Sequence, residues 1–454
     1  SDVYKRQLML NANPTLTWRD VQQILVLSAR QLDPEDPDTK ANGAGLLVNH
    51  RIGFGVPDAG QAVRLARWWK NRPPRTNTTV VLRKSWTIPD DGLRLLVMGS
   101  NVPPALRSIP AFPSDAPHPD TATKIVPLVH VGQATEPVTV NLRSKAALIQ
   151  RGVNYFAQKI AYAAAAGAEF AVVYNNVDST DRVFMAGADL AFAKIPAVMI
   201  DRTSGEALRD YLASDSTALA QLWLNCLSIG LELKETLSCE HVKLRVYFSH
   251  PRRSDVRLTL VSPTGTRSVL HHFNSDDGSY LGEWTFYSTH HFFEPSAGTW
   301  LVEISDEQPG QVGRVNGVEL TVYGVPIADS DNDGVDDEWE LNRLGTLALG
   351  PAADIDRDGY SNLLEWLLDW DPLAADLPLQ IDMSMWTTNI VRVSWPSARI
   401  GSYEILASPS ASAAPELLEI VSGCFPEAAL YLPTSKTMEF LRIRYNFKDT
   451  LALP

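Results

Sequence analysis

Cysteine is scarce in this chain: three residues in 454, at positions 226, 239 and 424. Three thiols do not make a disulfide framework. Cys226 and Cys239 could pair and leave Cys424 over; buried free thiols are the plainer reading. Long apolar runs are also missing. The longest, AYAAAAGAEFAVVY, is split by Gly167 and Glu169, so no stretch reaches the length of a bilayer span. Positive charge is in deficit, with 40 Lys and Arg against 53 Asp and Glu and a net charge of -13. That balance argues against nucleic acid and anionic membrane as main partners. No Met start, basic n-region or apolar h-region precedes the first helical pattern, so the compartment has to be argued from elsewhere. What the chain does have is 45% hydrophobic and 20% charged residues. It should fold into packed cores, with room for about three or four domains.

Along the chain the texture changes several times. Pro14, Thr15 and Thr17 precede Val21, Ile24, Leu25 and Ser28, a helix start followed by one apolar stripe. The polar turn DPEDPDTKANGAG leads to LLVNHRIGFGVPDAGQAVRLARWW. This reads as a short strand, a Gly-Phe-Gly turn and a helix capped near Asp58, with Ala59, Ala62, Val63, Leu65 and Ala66 inward. KNRPPRTNTT reads as a linker. Residues 95–222 alternate strands (KAALIQRG, EFAVVYNN, IPAVMID) with helices (NYFAQKIAYAAAAGA, SGEALRDYLAS), the order of an α/β layer. From 223 to 326 come HVKLRVYFS, DVRLTLVSP, RSVLHHF, EWTFYS, TWLVEISD and GVELTVYGV, strands of period two that predict a sandwich or jelly roll. More strand patterns follow beyond 377.

The strongest chemical signal is a pair of acidic loops, DSDNDGVDDEWE and DIDRDGYSNLLE, starting 25 residues apart. Each fits a twelve-residue calcium loop. Positions one, three and five are Asp329, Asp331 and Asp333, then Asp354, Asp356 and Asp358. Position six is Gly334 or Gly359, where the chain turns sharply. Position seven offers a backbone carbonyl, from Val335 or Tyr360. Position nine is Asp337 or Asn362, and position twelve Glu340 or Glu365. A hard dication takes six to eight oxygens at roughly 2.3–2.6 Å, and carboxylates at alternate positions of a turning loop can converge on one point. The competing reading is a solvated acidic linker; two full matches favour calcium as the cofactor. Position eight carries Asp336 and Ser361, where helix-pairing EF-hands favour a branched apolar residue. The loops resemble instead thrombospondin type 3 repeats, common as stalks or joints in secreted bacterial proteins. Calcium at the levels such loops need suits the outside of a cell, so they also carry the expectation of a secreted protein.

NPTLTWRDVQQILVLSA and NGAGLLVNHRIGFGVPDAGQAVRLARWW resemble the end of a subtilisin-like catalytic domain of the kexin and proprotein-convertase branch. The resemblance implies that LML closes the helix carrying the nucleophilic serine. The Asp, His and Ser of the triad are then expected upstream of residue 1, with no catalytic residue in this chain. SDVYKRQ does not fit and resembles sequencing-adaptor read-through. Substitutes fail on sequence. Asp201 has no HGTH-type stretch beside it, His50 falls in a structural loop, and Ser268 lacks the alanine and proline that follow a family nucleophile. No GxSxG elbow or HExxH helix occurs. His271, His272, His290 and His291 read as surface or core histidines before metal ligands.

The strands from His241 to Val325 resemble the P domain of that family. Asp255 sits at a strand start, Pro263-Thr264-Gly265-Thr266 at a hairpin, and Trp284 and Trp300 are implied core aromatics. KAALIQRGVNYFAQKIAYAAAAGAEFAVVYNN resembles a protease-associated domain. Val153 and Asn154 stand where a cysteine is frequent, and Arg151, Phe156 and Lys159 mark a helix start read as structural. KSWTIPDDG resembles the first P-domain strand, which makes the protease-associated block an insert near the start of the P domain.

The expected fold is multidomain and mixed. Residues 1–7 are set aside as non-native. The α/β tail of a subtilisin-like domain covers 8–72, and 73–94 is a linker ending in the first P-domain strand. The α/β protease-associated domain spans 95–222 and the all-β jelly-roll P domain 223–326. Paired calcium loops occupy 327–376, and a small β-rich domain 377–454. The expected protein is part of a secreted, calcium-binding serine endopeptidase acting on peptide substrates through a catalytic domain not present here. It has no nucleic-acid partner and no transmembrane segment, and its C-terminal domain is a candidate for cell-surface attachment. The reading from another class is a non-catalytic extracellular adhesion protein built from the same modules.

Overall fold

The computed structural model describes residues 2–34, 36–117, 122–177, 183–187, 189–190, 193–274, 276, 278–374, 381–396, 402–408, 414–422, 427–433 and 440–446. It begins with α1 (Asp2–Ala12). Its first turns include residues 2–7, and Lys5 Nζ donates to the Pro57 carbonyl at 2.6 Å. α2 (Trp18–Leu27) starts at Thr17 with a capping box: the Thr17 hydroxyl accepts from Asp20 N while Asp20 accepts from Thr17 N. Asp20 is itself buried and also accepts from Trp69 Nε1 at 3.0 Å and Arg72 N at 2.9 Å. Burial pushes its pKa up, but these contacts, with a further hydrogen bond from the Thr17 hydroxyl at 2.6 Å, outweigh burial and hold it below the usual value. α3 (Ala59–Trp68) starts where Asp58 accepts from Gln61 N at 2.9 Å. It buries Ala62, Leu65 and Ala66, with Ala59 and Val63 only half-covered.

The stretch read as a linker runs without helix or strand to residue 75, but its end, from Thr76, is a strand. β1 (Thr76–Leu82) lies along the edge of a five-stranded sheet. Thr76–Thr79 looked polar because one flank of an edge strand faces water; β-branched Thr and Val suit that position without an apolar run.

The next unit is a seven-stranded mixed sheet built from β2 (Leu93–Met98), β3 (Val126–His130), β4 (Ala146–Gln150), β5 (Phe170–Tyr174), β6 (Ala197–Ile200) and β7 (Leu219–Leu224). Its order is β6-β5-β4-β3-β7-β2, with Ser108–Pro110 on the outer edge. β3 to β6 are parallel. α4 (Phe156–Ala165) is the crossover helix between parallel β4 and β5, and α5 (Arg202–Ser214) leads from β6 to β7, which runs antiparallel to β3 and β2. β5 is buried at every position, as a central parallel strand should be. Arg94 pairs with Trp223 and Leu93 with Leu224, so the block leaves and returns at one point.

A sandwich follows: β8 (Leu227–Leu233), β9 (Leu237–His250), β10 (Val256–Val261), β11 (Arg267–His271), β12 (Tyr280–Ser288), β13 (Gly298–Asp306) and β14 (Arg314–Pro326). One sheet runs β8-β13-β10-β11; the other runs β12-β9-β14-β1, with Trp86–Thr87 also on β14. The core between them joins Leu231, Val246, Leu260, Trp300 and Leu320. Trp300 is fully buried and donates from Nε1 to Ser296 O at 2.9 Å. Trp284 is half-buried and packs against the edge of that core, in a row with buried Phe248 and half-buried Tyr280 and Phe286. Its strand β12 is a sheet edge, which leaves the ring one open side. Cys226 and Cys239 are both free thiols; Cys424 lies outside the described residues.

Two short helices, α6 (Asp337–Arg343) and α7 (Asn362–Leu368), leave the acidic loops. The chain ends in β15 (Asp382–Thr387), β16 (Ile390–Pro396), β17 (Ser402–Ser408), β18 (Glu416–Ser422), β19 (Glu427–Pro433) and β20 (Phe440–Asn446). They form two three-stranded sheets around Trp395 and Tyr403. No helix among the described residues is long and apolar enough to cross a membrane.

The contact of α5 with β5 is tight. A Cβ on Gly205 would stand 2.1 Å from Tyr174 Cβ. Gly205→Ala should destabilise this block by about 1–3 kcal/mol through overpacking, read as a lower melting temperature. An unchanged melting curve would mean the helix does not seat there.

Candidate metal centre

The two acidic loops fold alike, position by position. In the first, Asp329 accepts from Asp333 N and Gly334 N, each at 3.0 Å, and Asp333 accepts from Val335 N at 2.8 Å. In the second, Asp354 accepts from Arg357 N at 2.8 Å and Gly359 N at 3.1 Å, and Asp358 accepts from Tyr360 N at 2.9 Å. Position four is left-handed in both, Asn332 at φ 66 and Arg357 at φ 67, and so is the glycine at position six, with φ 93 and 97. Asn or Gly tolerates that region; Arg357 is held there against its preference. Position nine closes each loop: Asp337 N donates to Ala328 O at 2.7 Å and Asn362 N to Ala353 O at 2.8 Å.

Carboxylate oxygens come within 4.8 Å of one another in three groups: Asp329, Asp331 and Asp333; Asp331, Asp337 and Glu340; and Asp354, Asp356 and Asp358. The five predicted carboxylates of the first loop therefore fall into two groups that share Asp331. Val335, which offers its carbonyl, is fully buried. In the second loop, Glu365 and Asn362 are fully buried on α7, and Glu365 falls outside the Asp354 group. Tyr360 points its ring into a core against Trp370.

These residues fit a divalent cation on chemical grounds. Glu340 is fully buried, and neither carboxylate oxygen has a hydrogen-bond partner among the described residues. Asp333 Oδ2 and Asn362 Oδ1 are buried in the same condition. A buried carboxylate with no donor is costly unless a cation replaces the lost water. Burial first, then the neighbouring carboxylates, pushes Glu340 up to about 8 and Asp354 to about 7. Burial likewise carries Asp333 to about 7 and Asp329 to about 6. The donors are all oxygen, the set calcium prefers.

Position eight has a role that sequence reading missed. Asp336 caps α6, accepting from Glu338 N at 3.1 Å and Trp339 N at 3.4 Å. Its acidic side chain ahead of a helical run was a legible N-cap signal.

The histidines and the catalytic substitutes have other occupations. His50 Nε2 accepts from Val269 N at 2.8 Å, so Nδ1 carries the proton and donates to Asp38 at 2.7 Å. His250 pairs with Asp306 through Nε2 at 3.1 Å, while its Nδ1 accepts from Arg252 N. Neither ring presents a free nitrogen to a serine. His290 lies 4.5 Å from the His50 ring; burial and the neighbouring imidazoles push it down to about 3. His291 is buried against Trp300 and bonds Glu294 at 3.2 Å. His271 and His272 donate to backbone carbonyls of Val256 and Phe273. Ser268 bonds Ser288 at 2.8 Å, and Asp201 caps α5 through Ser204 N. Arg151 holds Asn175 at 2.8 Å, Phe156 lies under the Arg151 guanidinium, and buried Lys159 donates to Gln133 O.

Two family models match within this chain: the proprotein convertase P-domain over residues 239–322 and the PA domain over residues 97–208. A PC3-like endoprotease of Hydra vulgaris is 25% identical over 313 residues, 68% of this chain and 26% of that protein. The human proprotein convertase subtilisin/kexin type 6 is 25% identical over 324 residues, 70% of this chain and 21% of that protein. A solved structure, the serine protease of Aeromonas sobria with its chaperone, is 14% identical over 71% of this chain and 42% of that one, with a TM-score of 0.35, too loose a likeness to argue from. The fold and these matches define a multidomain protein of mixed class that carries a P domain and a PA domain. It is a relative of the kexin/subtilisin-like proprotein convertases. The chain spans about a quarter of the length of the curated relatives it matches. Those relatives are animal proteins and lend nothing to the expectation of a bacterial source.

Calcium should protect residues 327–370 from limited proteolysis, and magnesium should do so poorly because it dehydrates reluctantly. Asp329→Ala and Asp354→Ala should each expose their own loop. Equal cleavage in calcium and in chelator would count against the assignment.

Binding should also depend on pH. The raised carboxyls carry protons in the folded, calcium-free chain between about pH 4 and 8 that the unfolded chain has shed. Calcium-free stability should therefore fall as pH rises through that window, while calcium must displace the protons. Affinity measured by calorimetry should weaken by about tenfold or more from pH 8 to pH 6. A flat profile would mean these carboxyls do not meet the ion.

Proposed function

We propose that this chain is part of a secreted, calcium-binding, subtilisin-like serine endopeptidase. It supplies the tail of the catalytic domain (residues 8–72), the PA domain, the P domain, the paired calcium loops and a β-rich C-terminal domain. The Ser-His-Asp machinery that would cut peptide bonds through an acyl-enzyme lies outside this chain. Kinship with proprotein convertases over two-thirds of the chain carries this reading.

The surface of the first 70 residues supports it. α1 buries Met9 yet leaves Leu8 50% and Leu10 41% exposed. Elsewhere in this unit Val56 and Trp68 are 45% and 59% exposed. Leu8 and Val63 line a shallow depression between α1 and α3. Exposed apolar side chains on so short a helical unit favour a further packing partner; the rest of a catalytic domain is the partner we assign. In the proposal, calcium is a structural ion, and the P domain braces the catalytic domain without touching substrate. Secretion follows from a calcium requirement met outside the cell. The C-terminal sheets present Met383, Met385 and Trp386 to solvent, which favours attachment to another surface through that end.

A serine-directed phosphonate probe tests the central claim. The chain should take up no label and hydrolyse no peptide substrate, since none of the His–carboxylate pairs among the described residues bonds a serine. Stoichiometric labelling of any serine would overturn the proposal that the nucleophile lies elsewhere.

A further inference from the structure

Repeats of this kind read as stalks or joints, and here the helix leaving the second loop is packed into the body of the protein. α7 is seven residues long, and Leu363, Leu364, Leu367 and Leu368 are each 1–2% exposed. They share one core with Met9, Ile24 and Leu27 of the first two helices, Leu16 in the turn between them, and Leu65, Ala66 and Trp69 at the third. Phe292 and Phe293 of the P domain complete that core. On the same short helix Asn362 precedes the leucines and Glu365 lies between them, positions nine and twelve of the second loop, both fully buried. The residues that would meet the ion and those that meet the N-terminal helices therefore alternate along one segment. Arg72 over the Trp366 ring at 4.9 Å and Lys70 on Asp369 at 2.5 Å close the outer side.

The first loop docks on the other partner. A Cβ at Gly334 would stand 2.7 Å from Phe293 O and 3.3 Å from Pro295 Cδ. That same P-domain turn is gripped from the other side by the N-terminal unit, where Asn42 Nδ2 donates to His290 O and Phe292 O at 2.9 Å each. The first loop presses on the turn that the N-terminal unit holds, and the helix leaving the second fills the core between them.

We propose that the two loops are a calcium-operated clasp that fastens the N-terminal helical unit to the P domain. This rests on the calcium reading of the loops and deepens it. With the ion bound, the buried oxygens around Glu340 and Asn362 are satisfied and α7 is fixed in the shared core. With the ion removed, the carboxylates draw water, α7 withdraws, and α1–α3 lose most of one wall. The P and PA domains keep their own separate cores.

Hydrogen exchange on the whole chain, with calcium titrated by calorimetry on the same sample, tests this. In chelator, amides of residues 16–27 and 59–69 should exchange at least tenfold faster than in calcium, while those of β3–β6 stay unchanged. Glu365→Gln in calcium should copy the chelator pattern at those two segments and keep β3–β6 protected. Calcium heat with unchanged exchange at 16–27 and 59–69 would refute the clasp and leave the metal site standing. Absence of any calcium heat would bring down the metal reading itself, and the clasp with it. Should the Glu365→Gln chain not fold, the wild-type chain with and without chelator decides the matter.

Discussion

Carboxylates gathered beside one another in an apolar setting need a cation or protons; they cannot all stay charged on their own. Glu340, Asp333 and Asp354 are in that position, and their acidities show the strain as values pushed to near neutrality. The geometry around them is nevertheless well formed. The backbone N–H groups of Gly334 and Gly359 anchor the first aspartate of each loop, and left-handed turns at positions four and six aim the others inward. The packing of α7, and through it the seating of α1–α3 on the P domain, depends on how this charge is neutralised.

Other acidic groups at the same junction are settled by the chain itself. Glu294 is fully buried, yet it accepts from Gly43 N at 2.6 Å, from the Thr266 hydroxyl and from His291. Burial works to raise its pKa, but those contacts hold it below the usual carboxylate value. Glu240 accepts from Arg19 Nε at 3.1 Å and Gln23 Nε2 at 2.9 Å. Both carboxylates belong to the P domain and both take donors from the N-terminal unit. The interface thus holds two kinds of acid: those with built-in donors, and those in the loops whose oxygens were left open.

Much of this was legible where a pattern repeats. The alternation in HVKLRVYFS became β9, whose burial alternates through Val242, Leu244, Val246 and Phe248. The spacing of Asp329, Asp331, Asp333 and Gly334 fixed the loop geometry, because each position has its own backbone requirement. Residues whose role depends on distant partners were harder to read. β1 was taken as linker because its threonines look polar until β14 lies beside them. LSIGLEL passed unnoticed as β8, although it alternates cleanly. Asp20 and Gln23 lie on the buried face of α2 beside Val21 and Ile24, and nothing local reveals the indole and carboxylate that receive them. The leucines of α7 were visible, but not the helices they would meet, since a stripe declares only that something covers it.

The PA domain interrupts the P domain between β1 and β8, and this sets an order of events during synthesis. Leu82 pairs with Val318, and Thr76 with Gly324, on the last strand of the sandwich. As the ribosome works through the whole inserted block, β1 stays a lone ribbon with its hydrogen-bonding edge bare. Contacts so remote in sequence form late, because a long loop must close first. An open strand edge awaiting its mate is also a template for wrong pairings. The insert, whose first and last strands lie side by side, can close on itself and keep the waiting ends of the P domain near each other. A nascent chain stalled before residue 314 would therefore be the species most in need of a chaperone.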